Sequence, residues 1–260
     1  MDNVSKTLYI PLYGKALVSG KGIILSDPKA KEIWSAEGFS LRGKSASKWL
    51  AYYMAMRAAA HDRWVTQRMA ADPGAVVLHL GCGMDSRAFR VGTYQNEWFD
   101  VDLPEVIAER RRYFRDSERY HLFGADLRRS DWLASLPRGN AIVVMEGVSM
   151  YLKPEELKAL LSALSSHFAC VELLMDCYSS FAARASKVKN PINDVGVSQV
   201  WGMDDPMTLT ENTGFSFAGE RTMTPEDLIA QLKPLEQTIF RKLYAGTMSR
   251  KLYKLYEYRT

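Results

Sequence analysis

The feature that most constrains the fold is a repeated alternation of short apolar runs with helical stretches, which begins at Ala75. A clear amphipathic helix, Pro154 to Phe168, has a leucine stripe, and a proline and two glutamates open it. Strands separated by helices form parallel βαβ units, so we predict an α/β fold with a doubly wound, mostly parallel sheet. Five runs predict its first strands: Val76–Leu80, Trp98–Val101, Tyr120–Phe123 (the weakest), Ile142–Met145 and Phe168–Met175.

The chain on either side of this alternation has a different pattern. Three helices are predicted before it, near residues 5–19, from Asp27-Pro28, and from about Ser47 to Ala71. After it, Asp176 to Pro206 predicts a helix to about Lys187 and then a loop. Two further strands are predicted at Phe215–Arg221 and Lys251–Arg259. We therefore expect a seven-stranded sheet with an N-terminal helical cap.

Composition excludes several classes of protein. Of the 260 residues, 47% are hydrophobic and 25% charged, which is typical of a globular protein and not of a disordered chain or a coiled coil. The 34 basic and 30 acidic residues nearly balance, so nucleic acid is not an expected partner. The dense basic cluster, expected mostly on a solvated helix face, comprises Arg110, Arg111, Arg112, Arg115 and Arg119.

The three cysteines form no CxxC pair and have no histidines at the spacing of a zinc site. No run of residues is long and apolar enough to span a bilayer, and the N-terminus lacks the apolar core of a signal peptide. We expect a soluble cytoplasmic protein without a metal site and without membrane association.

The turn after the first predicted strand reads HLGCGMDSR and contains the first candidate site residues, Gly81 and Gly83. Glycines there allow the backbone to approach a ligand that a Cβ would block. The turn departs from the dinucleotide pattern G-x-G-x-x-G, because Ser86 occupies the third glycine position. Asp85 lies at the start of the next helix, where its carboxylate disfavours a pyrophosphate. The turn therefore favours a nucleoside ligand without phosphates.

Acidic residues end three successive predicted strands, at Asp102, Asp126 and Glu146. Their separations of 24 and 20 residues match one βα unit each, which places them along one edge of the sheet. Asp102 is positioned to accept hydrogen bonds from ribose hydroxyls, Asp126 with Leu127 to bind an adenine, and Glu146 to hold a cationic or amino group. The alternative, that each acid only caps the next helix, fits a single position better than all three.

Arg57 lies on the apolar stripe of the long N-terminal helix, between Leu50 and Trp64. A buried guanidinium needs a partner. We weigh an internal salt bridge, to Asp62 or to a strand-end acid, against a bidentate contact with a ligand carboxylate. On the same helix, His61 is the one histidine that we would test as a general base.

These residues resemble the leucine carboxyl methyltransferase family of class I S-adenosylmethionine-dependent methyltransferases, and most of all its bacterial branch of polyketide-type O-methyltransferases. The resemblance covers residues 7 to about 161, with a weaker match at WGMDDPMTL. It is carried by TLYIPLYGKAL, SDPKAKEI, MAMRAAAHDRWV, LHLGCGMDSRAFR, WFDVDLPEVIAERRRYF, GADLRRSDWL and MEGVSMYLKPEELKALL.

The resemblance implies a Rossmann-like single domain over residues 1–260, with the helical cap at 1–74, a cofactor-binding core at 75–175, and a substrate loop, helices and last strands at 176–260. It implies S-adenosylmethionine as the cofactor. Ser86 stands where threonine is commoner in the family, and the hydrogen bond at the helix start is still expected. The implied cofactor-binding residues are Lys15, Arg57, Gly81, Gly83, Asp102, Asp126, Leu127 and Glu146.

The predicted activity is methyl transfer to a carboxylate or hydroxyl oxygen of a small molecule, for which the resemblance implies a polyketide-like structure. A carboxylate needs no general base near neutral pH, whereas a phenol benefits from one. Two alternatives are an NAD(P)-dependent oxidoreductase and a non-catalytic S-adenosylmethionine-binding protein. The oligomeric state and the catalytic residues are left open. The candidate walls of the acceptor site are Tyr151, Tyr178, Phe181 and Trp201.

Overall fold

The computed structural model describes residues 8–38, 40–41, 43–92, 95–186 and 200–260. It contains a seven-stranded sheet in the order β3-β2-β1-β4-β5-β7-β6, in which the first five strands are parallel and β7 is antiparallel to both neighbours. The predicted α/β class, the number of strands and the mostly parallel sheet are therefore confirmed. The strands are β1 Val76–Leu80, β2 Trp98–Asp102, β3 Tyr120–Gly124, β4 Asn140–Met145, β5 Cys170–Tyr178, β6 Ser216–Arg221 and β7 Tyr253–Arg259.

Ten α-helices occur in the described ranges, and the three long ones that precede β1 form the predicted N-terminal cap. The cap helices are α1 Tyr9–Lys21, α2 Pro28–Glu37 and α3 Lys48–Ala71. The other helices are α4 Arg87–Val91, α5 Pro104–Arg110, α6 Pro154–His167, α7 Ser180–Ser186, α8 Glu226–Ile229, α9 Pro234–Phe240 and α10 Thr247–Leu252. The loop that was predicted after Lys187 lies largely outside the described residues.

Local sequence explains where the main helices begin. Asp27 precedes α2, and its side chain accepts a hydrogen bond of 2.8 Å from the backbone N–H of Ala30. At the start of α6, Glu156 accepts from the backbone N–H of Lys153 at 2.8 Å. A proline occupies the first helical position in both cases, where its missing N–H costs nothing.

Both faces of the sheet are covered, as a doubly wound fold requires. On one face, Val77 of β1 belongs to the same buried cluster as Met56 and Trp64 of α3. On the other, Leu78 packs in a cluster with the leucine stripe of α6, including Leu161. Alternate residues of β1 thus point to opposite cores, and the strand ends are left to form the site.

Candidate functional site

A cavity of about 620 Å³ opens at the carboxyl ends of the parallel strands, beneath α1 and α3. It lies where β1 has β2 on one side and β4 on the other, the point at which the strand order reverses and where open α/β sheets bind ligands. All eight residues predicted to bind the cofactor line it: Lys15, Arg57, Gly81, Gly83, Asp102, Asp126, Leu127 and Glu146.

The glycine turn is fixed by the end of β2. The backbone N–H of Gly83 donates to Oδ2 of Asp102 at 2.7 Å, and that of Leu103 donates to Oδ1 at 2.8 Å. Burial raises the pKa of Asp102, against the effect of these two donors. Gly81 has a φ of +65°, and a Cβ there would lie 2.2 Å from Cγ2 of Val148. The turn therefore has no room for a side chain at its first glycine.

Asp126 and Leu127 follow β3, and both line the cavity. Leu127 is buried, whereas Asp126 is partly exposed and pairs with Arg128 at 2.6 Å. The hydrogen bonds from Arg128 lower the pKa of Asp126. Next to them, the backbone N–H of Ala125 donates to the carbonyl of Asp102 at 2.8 Å, which aligns the ends of β2 and β3.

Arg57 and Glu146 form a buried ion pair. Nε of Arg57 donates to Oε1 of Glu146 at 3.1 Å, and Nη2 lies 3.0 Å from the same oxygen. Although burial by itself raises the pKa of Glu146, the guanidiniums of Arg57 and Arg87 hold that pKa well below its usual value. The predicted salt bridge to a strand-end acid is present, and Asp62 instead pairs with Arg87 and Arg90. Arg57 also lines the cavity, so the two interpretations of this residue are compatible.

Lys15 belongs to α1, and its Nζ lies 3.2 Å from Oδ1 of Asp85. Burial opposes ionisation of Asp85, but Arg90, Lys15 and Arg87 hold its pKa well below the usual range. These groups are part of a larger set of ion pairs beneath the cavity, which we call the buried ionic cluster. Among the described residues it comprises the acids Asp27, Asp62, Asp85, Glu146 and Asp176 and the cations Lys15, Arg57, Arg87 and Arg90.

Two expectations about the residues near the turn were wrong. Arg110 is completely buried instead of solvated, because its Nη1 donates to the carbonyls of Gly83 and Asp85 at 2.7 and 2.8 Å and its Nη2 binds Asp100. Ser86 makes no hydrogen bond to the start of α4. Its hydroxyl donates instead to Oδ1 of Asp27 at 2.6 Å, which connects the turn to the helical cap.

His61 is not positioned to act as a general base. Its ring is fully buried and is not among the described residues that line the cavity. Nδ1 lies 3.0 Å from the carbonyl oxygen of Arg57, one helical turn earlier. Burial lowers the pKa of His61, so the ring is held neutral inside the protein. The expectation that this histidine could take a proton from an acceptor was therefore wrong.

Of the four candidate acceptor residues, Tyr151 and Tyr178 line the cavity. Phe181 and Trp201 are not part of the lining that the described residues provide. Phe181 is 60% exposed on α7, and the backbone N–H of Trp201 donates to the carbonyl of Met150 at 2.8 Å. The structure therefore brings together two of the four.

The sequence analysis missed Asp176 and Tyr253, which both contact Arg57. Asp176 follows the apolar run of β5, so the strand-end signal that identified the other acids also applies to it. Tyr253 begins β7 and also lines the cavity. It has no comparable signal, because its position depends on the antiparallel pairing of Tyr178 with Tyr253.

None of the helices in the described ranges is long and apolar enough to cross a bilayer. The same ranges contain no group of three or more His, Cys, Asp or Glu side chains that could hold a metal ion.

Sequence comparison connects this geometry to known proteins. Residues 5–165 match the family model described as leucine carboxyl methyltransferase. The tetracenomycin polyketide synthesis O-methyltransferase TcmP of Streptomyces glaucescens is 30% identical over 244 residues, which are 92% of this chain and 90% of that protein. The S-adenosyl-L-methionine-dependent methyltransferase dpfgK of Gibberella zeae is 28% identical over 234 residues, 80% of this chain and 78% of that protein.

Solved structures support the fold assignment. Magnesium protoporphyrin IX methyltransferase from Synechocystis PCC 6803 with bound SAH aligns with a TM-score of 0.51 at 13% identity, covering 89% of this chain and 94% of that chain. An S-adenosylmethionine-dependent methyltransferase from Mesorhizobium loti aligns with a TM-score of 0.54 at 14% identity, covering 76% of this chain and 98% of that chain. At this identity the likeness establishes the fold alone, and that fold is shared with methyltransferases.

Proposed function

Because this chain belongs to the leucine carboxyl methyltransferase family and is a methyltransferase that depends on S-adenosylmethionine, we propose that it methylates a carboxylate oxygen of a small aromatic, polyketide-like molecule. The similarity to TcmP, over most of both chains, supports a polyketide-type acceptor. Neither relative supports the alternative of an NAD(P)-dependent oxidoreductase.

We assign the residues that line the cavity to the parts of the cofactor. Asp102 would supply a half-buried carboxylate for the ribose hydroxyls, and Asp126 with Leu127 would supply a carboxylate and an apolar contact for the adenine. Glu146 faces the same cavity and suits the amino group of the methionine part, while Arg57 and Lys15 suit its carboxylate.

The charge of the site also favours this ligand. The buried ionic cluster, as far as it is described, contains five carboxylates and four cations and so has a formal excess of one negative charge. Such an excess in a buried environment attracts the positive sulfonium and ammonium groups of S-adenosylmethionine. Bound there, the cofactor supplies an activated methyl group on its sulfonium.

The observation that carries the choice of a carboxylate acceptor is the lowered pKa of three of the four acids in the described lining; the fourth, Asp102, is the one that we assign to the ribose. Asp85 and Glu146 have pKa values held well below the usual range, after burial is outweighed by neighbouring cations. Hydrogen bonds from Arg128 lower the pKa of Asp126. Such weak bases are poorly suited to deprotonate a phenol, whose pKa is about 10. A carboxylic acid acceptor arrives already ionised and requires only alignment and exclusion of water.

The apolar part of the cavity lining suits an aromatic acceptor. It consists of aliphatic and methionine side chains of the cap, of Met150 and Tyr151, which follow β4, and of Tyr178, which ends β5. A flat ring system can pack against such a surface, while one polar group is directed toward the methyl donor. The residues that we assign to this acceptor wall are Ile10, Leu12, Leu50, Met54, Met150, Tyr151 and Tyr178.

We also propose that the protein acts in the cytoplasm. Its three cysteines, Cys82, Cys170 and Cys177, are all free, which suits a reducing compartment.

The proposed function can be tested with 1-hydroxy-2-naphthoic acid, which carries a carboxylate and a phenol on one aromatic system. The purified protein is incubated with S-adenosylmethionine labelled in the methyl group, and the product is treated with alkali. A methyl ester releases labelled methanol on saponification, whereas an aryl methyl ether does not. We expect release of the label, and a rate that changes little between pH 6 and pH 9, because the carboxylate is ionised throughout.

If the label stays with the ring and the rate increases as the pH approaches the pKa of the phenol, the acceptor is the hydroxyl and not the carboxylate. Calorimetric titration with S-adenosylhomocysteine, with NADH as the control ligand, separates the remaining possibilities. Binding of S-adenosylhomocysteine without turnover of aromatic carboxylates or phenols would favour the non-catalytic cofactor-binding protein.

A further inference from the structure

Asp176 lies two residues before the end of β5, and its side chain makes three contacts around the proposed methionine end of the cofactor site. It is completely buried, and Met175 before it pairs with Met145, so Asp176 is level with Glu146, which follows the neighbouring strand β4. Its Oδ1 accepts the backbone N–H of Gly147 at 2.7 Å, and its Oδ2 lies 3.2 Å from Nη1 of Arg57. Asp176 therefore fixes both the loop that carries Glu146 and the guanidinium that pairs with it.

Tyr253 completes this arrangement from β7. Its hydroxyl accepts a hydrogen bond of 2.6 Å from Nη1 of Arg57 and donates one of 2.8 Å to Oδ2 of Asp176. Burial raises the pKa of Tyr253 well above its ordinary value, so the phenol keeps the proton that it donates. The ring packs edge-on against Tyr178 with centroids 4.7 Å apart.

The donors of Arg57 can be counted. A guanidinium has five N–H groups. Nε donates to Glu146 and Nη1 donates to the Tyr253 hydroxyl, while Asp176 and a second contact with Glu146 are ion pairs. Among the described residues, no hydrogen bond engages Nη2. Arg57 can therefore donate to a ligand carboxylate through Nη2, while Nε and Nη1 are held by protein partners.

We propose that Asp176 and Tyr253 are positioning residues that hold the Arg57 guanidinium in the orientation that binds the methionine carboxylate of the cofactor. This inference rests on the role given to Arg57 under the proposed function. Both residues lie beyond residues 5–165, the segment that matches the family model. The C-terminal part of the chain thus contributes to recognition of the amino-acid end of the cofactor.

The test compares two ligands that differ in that end. S-adenosylhomocysteine carries the amino-acid group, and 5′-deoxy-5′-methylthioadenosine lacks it. Calorimetry gives the Kd of each ligand for the wild-type protein and for Tyr253→Phe, which removes one hydroxyl. We expect the Kd of S-adenosylhomocysteine to increase roughly fivefold to twentyfold, which lies between the effects of losing a neutral and a charge-assisted hydrogen bond, and that of methylthioadenosine to change less than about twofold.

Tyr258→Phe is the matched control. Tyr258 lies on the same strand, is completely buried, and donates its hydroxyl to the carbonyl of Pro206 at 3.0 Å, so the variant also loses one buried hydroxyl. A general loss of structure would weaken both ligands alike, whereas the positioning role predicts loss for S-adenosylhomocysteine in the Tyr253 variant alone. An unchanged ratio of the two Kd values in Tyr253→Phe would overturn the proposal.

Two further variants separate this inference from the function on which it rests. Asp176→Asn removes a charge partner of Arg57 and should change the ratio in the same direction as Tyr253→Phe. Arg57→Met should change it most. If Arg57→Met leaves the ratio unchanged, the role of Arg57 in the proposed function is wrong, and this inference fails with it. If Arg57→Met changes the ratio and the Tyr253 and Asp176 variants do not, only the positioning role is wrong.

Discussion

The backbone N–H of Gly83 donates a hydrogen bond of 2.7 Å to the Asp102 carboxylate, so the turn after β1 is attached to the end of β2. Arg110 reinforces this attachment by donating to the carbonyl of Gly83 at 2.7 Å. The turn is thus held from two directions by charged groups of neighbouring elements. A ligand that enters the cavity meets a backbone that is already in place, which reduces the entropy lost on binding.

Asp102→Ala should weaken binding of S-adenosylhomocysteine by roughly 1.5–3 kcal/mol, the range for hydrogen bonds to a charged group. The variant removes the carboxylate that we assign to the ribose and also frees the Gly83 N–H. Calorimetric titration measures the change. Asp131→Ala, which removes an exposed carboxylate paired with Arg129, is the control and should bind like the wild type. Unchanged affinity of Asp102→Ala would remove Asp102 from the site.

Gly81→Ala should destabilise the protein more than Gly22→Ala. Both glycines have positive φ, at +65° and +66°, which costs an L residue about 1–2 kcal/mol. A Cβ at Gly22 meets nothing within 4 Å, whereas one at Gly81 meets Cγ2 of Val148 at 2.2 Å, so Val148 must also move. Urea denaturation gives the two free energies of unfolding. Equal losses would show that Val148 adapts at no cost.

The same pair of variants tests the role of the turn in binding. Only Gly81→Ala should weaken binding of S-adenosylhomocysteine, because Gly22 ends α1 and is not part of the cavity lining among the described residues. An equal effect of both variants on the Kd would argue against direct contact between the turn and the cofactor.

Arg87→Met should destabilise the fold by about 3–5 kcal/mol, the usual cost of removing one partner from a buried ion pair. Arg87 is completely buried, donates to Asp62 at 2.8 Å and also binds Glu146. The variant leaves these carboxylates with fewer partners inside the protein. Arg111→Met is the matched control, because Arg111 pairs with Asp116 at the surface, where ion pairs contribute less than about 1 kcal/mol. A shift in the urea midpoint no larger than that of the control would show that the buried ionic cluster rearranges without cost.

Stability should decrease in acid as Asp100 is protonated. Burial opposes its ionisation, but Arg110 and hydrogen bonds from His79 and Tyr120 lower the pKa of Asp100 to about 2. A carboxyl group with a folded pKa below its unfolded value of about 3.9 stabilises the fold above that value and loses this contribution as the pH falls toward the folded pKa. The contribution, on the order of 2 kcal/mol, should therefore disappear between about pH 4 and pH 2.

Urea denaturation at several pH values between 2.5 and 7 measures this loss. Asp100→Asn should show a shallower decrease than the wild type over that window, and Glu118→Gln, which removes an exposed carboxyl, is the control. If Asp100→Asn follows the wild-type curve, other acids account for the decrease.

The sheet and the strand-end acids could be predicted because the information is local. Apolar runs identify strands, and in a parallel sheet their carboxyl ends meet at one edge, so Asp102, Asp126 and Glu146 could be grouped before any contact was known. Arg57 could be singled out because a charge on an apolar helix stripe needs a partner. These residues line one cavity in the structure.

The partners of those residues could not be predicted, because they depend on contacts between distant parts of the chain. Asp62 of α3 pairs with Arg87 and Arg90 of α4, and nothing in either segment specifies the other. Arg110 belongs to a run of arginines that is polar in composition, and only the approach of α5 to the glycine turn buries it. The sequence pattern describes a residue's own element, whereas burial depends on what packs over it.

The strand β7 is synthesised after every other strand of the described residues, yet it lies between β5 and β6 in the sheet. During translation, therefore, β6 has no neighbouring strand, and Arg57 and Asp176 lack the Tyr253 hydroxyl until the chain has been extended past residue 253. The contact between Arg57 and Tyr253 spans 196 positions, and that between Asp176 and Tyr253 spans 77. A nascent chain that ends before β7 therefore lacks both the pairing of β6 and the complete Arg57 environment.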